Sequence, residues 1–227
     1  MVLSAKVYNL PNNAEIEVIR KKIINYYVEK AEEHEGKHFN LITKISNVNL
    51  RNDKILEGLF SKDEVIYIPQ RGIVNPTIYT RDTFFTFYLD ENKYLIIFDK
   101  KQIADSIANE MSKLLFIKVG MITEIEISPE RMKKFHEENK ENTKVIFFDN
   151  VKLPGIKKLS LYGENLANLE IYNEYLKLGN IWYIVFTSKI TNGIAGLTRD
   201  GVVVHFGKIE TKDFQNFILN EIIKIVS

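Results

Sequence analysis

The stretch from Glu64 to Asp99 constrains the fold of this chain more than any other. It is dense in β-branched and aromatic residues and is cut twice by turn-forming ones. Glu64–Ile68 reads as one strand, ended by the Pro69-Gln70-Arg71-Gly72 turn. Thr77–Leu89 reads as a second strand, carrying Tyr79, Phe84, Phe85, Phe87 and Tyr88. After Asp90-Glu91-Asn92, the run Tyr94–Phe98 returns as its partner. Successive strands joined by short turns pair antiparallel, so a sheet of hairpins is expected here.

The flanking segments add helices. Ile16, Ile19, Ile23, Tyr27 and Ala31 recur at helical spacing, which predicts a helix from about Ala14 to Glu35, capped by Asn12 or Asn13 and stopped by Gly36. Phe39–Leu50 alternates imperfectly and reads as a strand. Lys101–Phe116 is amphipathic, with Ile103, Ile107, Met111, Leu114 and Leu115 on one face. In the second half, Ser128-Pro129 marks a helix start, a capping hydroxyl followed by proline at the first helical position. Strands are expected at Lys144–Phe148, Leu159–Tyr162 and Ile181–Ile190, with a helix over Glu164–Leu178. Asp200-Gly201 predicts a two-residue turn between Ile194–Thr198 and Val202–Phe206, and a helix from Lys212 to Val226 follows.

Together these elements predict an α+β fold, mainly antiparallel hairpins covered by helices. A parallel α/β sheet is the alternative, because residues 119–190 alternate strand and helix. Two halves are expected, 1–117 and 118–227, which pack as one unit or stand apart. Each contains a hairpin followed by an amphipathic helix, and Ile103, Ile107, Met111, Leu114 and Leu115 correspond to Phe214, Ile218, Ile222, Ile225 and Val226. The match reads either as two related halves or, more simply, as what apolar periodicity gives to any amphipathic helix after a hairpin.

Composition limits function more than it assigns it. With 45% hydrophobic residues and a net charge of +1, the chain has the makings of a core and no reason to stay disordered. The total shows no basic excess, so a nucleic-acid site would have to be a local patch. Cysteine is absent, which excludes disulfides, thiolate nucleophiles and cysteine-ligated metal centres. No apolar run is long enough for a transmembrane helix, and the N-terminus lacks the basic-then-apolar pattern of a signal peptide. A cytoplasmic protein without membrane partners is the expectation.

His34-Glu35-Gly36-Lys37-His38 satisfies the H-E-x-x-H pattern. On a helix that spacing stacks two histidines on one face to bind zinc while the glutamate activates water. A zinc-dependent hydrolase is therefore one reading, with a carboxylate such as Glu57 as third ligand. Gly36 within the motif and the charged flanks favour an exposed helix end instead. His136, among Lys133, Lys134, Glu137 and Glu138, reads as solvated, and His205 reads as an ordinary strand residue. No serine elbow and no phosphate-binding glycine loop of the G-x-x-x-x-G-K-[ST] type is present.

Two stretches offer cations for an anionic partner. Arg71 and Arg81 are interleaved with aromatics between Tyr67 and Tyr88, and Lys152, Lys157 and Lys158 form an acid-free basic stretch beside Pro154-Gly155. Aromatics with cations on a sheet stack bases and hold phosphates. A non-enzymatic binding protein, with nucleic acid as first partner to test, is the leading expectation. Assembly through protein–protein contacts of the aromatic strands or of the amphipathic C-terminal helix is the third reading.

Overall fold

Antiparallel hairpins dominate the chain, and helices cover them. The computed structural model describes residues 2–139 and 141–226. It divides into two units, one of residues 9–99 and 103–122 and the other of residues 1–8, 100–102 and 123–227.

In the first, here the arm unit, helix α1 (Ile16–Ile23) precedes strands β2 (Tyr27–His34), β3 (Lys37–Asn52), β4 (Ile55–Gln70), β5 (Ile73–Leu89) and β6 (Lys93–Ile97). These strands pair in chain order, each antiparallel to the next. The β4–β5 ladder is unbroken from Ile55↔Tyr88 to Gln70↔Ile73. At about 3.3 Å per residue it is roughly 50 Å long. Arg71 and Gly72 join the strands with φ of 48° and 82°. Both angles suit the mirror-image two-residue turn that matches strand twist.

The near half of this hairpin carries the unit's core: Leu56, Phe60, Phe85 and Phe87 are fully buried. Helix α2 (Lys101–Phe116, in this unit from Ile103) buries Ala104, Ile107, Ala108, Met111 and Leu115. Gly58 stands opposite Phe85, and a Cβ there would come within 2.7 Å of the ring, so the phenyl group rests on bare backbone. The far half has no such cover. The β3–β4 register stops at Thr43↔Lys62, and beyond it Tyr67, Ile73, Val74, Ile78 and Tyr79 are each more than 40% exposed.

The helix expected over residues 14–35 is corrected. Only Ile16–Ile23 is helical, and Tyr27–His34 is a strand paired with Lys37–Lys44. Glu35 and Gly36 form the turn, with φ of 52° and 75°. The pairing is a non-local gain that helical spacing within the segment cannot register.

The second, or platform, unit begins with β1 (Leu3–Asn9, except Asn9), and continues with β7 (Thr123–Glu124), β8 (Thr143–Asp149), β9 (Leu159–Tyr162), β10 (Asn180–Thr187), β11 (Ile194–Thr198) and β12 (Val202–Phe206). Spatial order is β1-β12-β11-β10-β8-β9. The pairings along this path are all antiparallel, which excludes the parallel alternative for residues 119–190. The Asp200-Gly201 turn is also corrected: the connection is the three residues Arg199–Gly201, and only Gly201 has positive φ, at 78°. That is the three-residue hairpin in which glycine takes the left-handed position.

Helices pack on one face of this sheet. In α3 (Pro129–Glu138), Ser128 accepts a hydrogen bond from the Arg131 N–H at 3.2 Å, as its capping role predicts. Phe135 of α3 meets Phe186 edge-on with centroids 4.9 Å apart. In α4 (Glu170–Leu178), Tyr172 and Tyr175 pack on Phe148. The last helix begins as α5 (Thr211–Phe217), widens into a π-turn over Ile218–Ile222 and closes as α6 (Ile223–Val226). Its Phe214 and Phe217 cover His205, and Phe217 also reaches Phe186. Among the described residues, no helix is long and apolar enough to cross a membrane.

Candidate nucleic-acid interface

The face of the platform sheet opposite the helices carries aromatic rings. Strand alternation explains Phe147, which points away from buried Ile146 and Phe148. It does not explain the neighbours Trp182 and Tyr183, which lie on the same side. The β8–β10 register jumps between Ile181↔Phe148 and Tyr183↔Phe147, so Trp182 is the extra residue of a β-bulge. A bulge re-aims a side chain, and here it brings two successive aromatics onto one face.

The rings form a closed set. Phe147 lies 6.0 Å from Trp182 and 5.4 Å from Tyr183, and Trp182 and Tyr183 are 5.7 Å apart, all centroid to centroid. The Tyr183 and Trp182 planes are inclined by only 34°. Gly196 is what lets Tyr183 lie down on the sheet: a Cβ there would stand 2.3 Å from the phenol oxygen. All three side chains stay partly exposed. Burial raises the Tyr183 phenol pKa above its ordinary value, so the hydroxyl is neutral at physiological pH.

Cations border the platform. Between β8 and β9, residues 150–158 carry Lys152, Lys157 and Lys158 and no acidic residue. The loop is shaped by Asn150 and Gly155, both at positive φ, by a Leu153↔Ile156 bridge, and by a hydrogen bond from the Lys152 N–H to the Leu178 carbonyl at 2.8 Å. All three lysines are exposed, and Lys158 places its Nζ 4.0 Å from the centre of the Trp182 ring. The nearest acid in sequence, Asp149, is held by both guanidinium nitrogens of Arg199, at 3.1 and 2.9 Å. Arg199 also donates its N–H to the Trp182 carbonyl at 2.7 Å. One arginine thus neutralises the carboxylate and anchors the bulge, and among the described residues no carboxylate forms an ion pair with Lys152, Lys157 or Lys158.

The arginines predicted alongside these lysines lie in the other unit. Arg71 occupies the tip turn of β4–β5. Arg81 lies ten residues down β5, roughly 33 Å away along the strand. Arg81 stacks on Tyr79 at 5.6 Å and faces Glu64 at 3.9 Å. Residues 61–82 hold Lys62, Arg71 and Arg81 against Asp63, Glu64 and Asp82, so the arm carries no local excess of positive charge.

The geometry also removes the basis of the zinc reading. His34 and Lys37 are cross-strand partners, as are Glu33 and His38. Facing pairs share a side of the hairpin and successive residues alternate, so His34 and His38 project to opposite faces. His34 instead contacts Tyr67 Oη at 3.3 Å and Glu32 at 3.1 Å. Glu57, near the start of β4, accepts from Asn49. Among the described residues, no group of three or more histidines and carboxylates is placed to hold a metal ion.

Of the two remaining histidines, His136 departs from its sequence reading, while His205 is a residue of strand β12, as read. His136 is buried, not solvated: α3 turns it inward with Met132 and Phe135, against Tyr172 at 4.8 Å, and its Nδ1 lies 3.0 Å from Thr143 Oγ1. Burial lowers its pKa to about 4. His205 is also buried on the helix-covered face, 3.2 Å from Thr191 Oγ1, and burial lowers its pKa too.

The aromatic platform itself was missed by sequence reasoning, which treated Ile181–Ile190 as a simple strand. The available signal was Trp182-Tyr183 between Ile181 and Ile184, a break in alternation at the chain's single tryptophan. No protein-family model matches this chain, and no curated protein matches it either.

Proposed function

We propose that this chain is a non-enzymatic, intracellular binding protein that takes single-stranded nucleic acid on the platform unit. The observation carrying the proposal is the position of Lys158 over Trp182, where an acid-free lysine loop meets three clustered aromatic rings. Bases that are not paired stack on such rings, and lysines beside them take the phosphates. Lys158 on the indole is a replaceable occupant. A cation–π contact at an exposed site is worth about 0.5–1 kcal/mol, whereas a stacked base is worth about 1–3 kcal/mol. A phosphate that draws Nζ off the ring therefore frees a better binding surface than it removes. Duplex is the poorer ligand, because its bases are already stacked on one another.

The test is a filter-binding titration with single-stranded DNA and RNA oligonucleotides at two salt concentrations. Neutralising three phosphates on a single strand gives a log–log salt slope of about −2. Replacing Lys152, Lys157 and Lys158 together with alanine is expected to flatten that slope nearly to zero and weaken binding at low salt. Arg71→Ala and Arg81→Ala are expected to leave it unchanged. Absence of salt-sensitive binding to either nucleic acid removes the proposal.

A second reading, assembly through protein–protein contacts, is favoured by the far half of the β4–β5 hairpin. Residues 65–80 contain one charged side chain, Arg71, and five large apolar residues exposed on a ribbon. A two-stranded ribbon is marginal alone, and exposed apolar strands mark contact surfaces. Light scattering is expected to give a mass that rises with concentration, and Ile73→Lys with Val74→Lys to abolish the rise. A single-chain mass at every concentration ends this reading. The recurrence of a hairpin followed by an amphipathic helix, β5–β6 before α2 and β11–β12 before α5, supports reading the two hairpin–helix segments as related.

A further inference from the structure

On the helix-covered side of the platform unit, α3 and the last helix enclose a cleft of about 570 Å³. That is the size of pockets that take small organic ligands. Four cations line it: Arg131 and Lys134 from α3, Lys189 from the loop after β10, and Lys224 from α6. Spacing explains the first two, since residues three apart on a helix share a face. Phe135, Ile190 and Ile225 supply an apolar wall.

The two acids of the cleft are already engaged. Glu138 sits 3.8 Å from Lys134. Glu221 accepts from the Ser188 hydroxyl at 2.7 Å and from the Lys189 N–H at 3.4 Å. Ser188 is buried, and its oxygen also accepts from the N–H groups of Ile190 and Thr191, both at 3.1 Å. This hydroxyl therefore fixes the loop that presents Lys189 and Ile190. Arg131 spends one guanidinium N–H on the Val226 carbonyl at 3.0 Å. Among the described residues, no carboxylate forms an ion pair with Lys189 or Lys224.

An independent feature marks the same place. The last helix departs from α geometry in the π-turn Ile218–Ile222, which contains two of the lining residues, Asn220 and Glu221. Such π-turns inside α-helices are frequent at functional sites.

From this arrangement we infer that the cleft binds a small phosphorylated molecule with a flat apolar body, of mononucleotide size. The phosphate lies between Lys189, Lys224 and Arg131, and the body packs on Phe135, Ile190 and Ile225. The site faces away from the aromatic platform and does not depend on it.

Calorimetric titration of the full chain with AMP, adenosine and inorganic phosphate tests the inference. AMP is expected to bind saturably, and more tightly than either fragment. Lys189→Ala with Lys224→Ala is expected to weaken AMP by roughly 10- to 100-fold, the loss of two charge-assisted contacts. Lys37→Ala, on the β2–β3 hairpin of the arm unit, is expected to leave AMP binding unchanged. The inference is overturned if AMP gives no saturable heat at millimolar concentration, if the Lys189/Lys224 variant binds it as well as the parent, or if the Lys37 variant loses it as fully as the Lys189/Lys224 variant does. Adenosine binding as tightly as AMP overturns it too, because the cations then contribute nothing.

Discussion

Replacing Trp182 with alanine is expected to lower the affinity for single-stranded oligonucleotides by about 5- to 150-fold, the equivalent of one stacked base. The indole is the centre of the platform: Phe147 and Tyr183 pack against it and Lys158 rests on it. Its loss also removes the bulge's reason for exposing two aromatics together. Trp182→Phe retains an aromatic face and is expected to recover most of the affinity. The salt slope is expected to persist in both variants, since the lysine loop is intact. This separates stacking from phosphate attraction. Equal affinities for parent and Trp182→Ala, with far-ultraviolet dichroism unchanged, would show that the rings only cover their own sheet.

The second large effect concerns stability and acid. His136 is buried on α3 with no charged partner among the described residues, and burial holds its pKa near 4 against an ordinary value of 6.5. The folded state therefore needs the neutral imidazole, while the unfolded chain takes up a proton below about pH 6.5. Stability associated with this residue is fully present above that pH. It is lost as the pH falls from about 6.5 to about 4, and is constant below. The gap corresponds to about 3 kcal/mol. His205, lowered for the same reason, adds to the loss in the same direction. Urea unfolding of the parent at pH 7.5 and pH 4.5 measures the difference. His136→Gln is expected to be less stable at neutral pH but to depend much less on acid. A parent with the same unfolding free energy at both pH values would contradict the burial of this imidazole.

Where the sequence resolved the fold, a local signal was decisive. Ser128 followed by Pro129 starts a helix because the hydroxyl satisfies an otherwise unpaired N–H. Lys101–Phe116 carries five apolar residues on one face, and its helix has those limits. The failures have physical causes as well. Tyr27–His34 is an exposed strand with no alternation to betray it, and only its pairing with Lys37–Lys44, out of sight in the segment itself, overrides the helical spacing of Ile16, Ile19 and Ile23. Once that segment is extended, the H-E-x-x-H string straddles a turn and its histidines part company.

The interface was half legible. Lys152, Lys157 and Lys158 were recognisable because they are close in sequence and lack acidic neighbours there, and among the described residues the fold brings no carboxylate into an ion pair with them. Their aromatic companions were not, because Phe147 and Trp182 are brought together by a register jump between β8 and β10. Arg71 and Arg81 had the right composition around them, but Asp63, Glu64 and Asp82 share their hairpin. Pairing across β4–β5 brings Glu64 beside Arg81. Sequence proximity of cations and aromatics is thus a weaker guide than the absence of nearby acids.

Trp182 is the chain's only tryptophan, so its emission reports on the platform without labels or substitutions. Titrating the protein with a single-stranded oligonucleotide should quench that emission to a plateau, with a midpoint that moves to higher concentration as salt is added. Emission that stays constant while oligonucleotide is bound would place the ligand elsewhere on the molecule and contradict the assignment of this face.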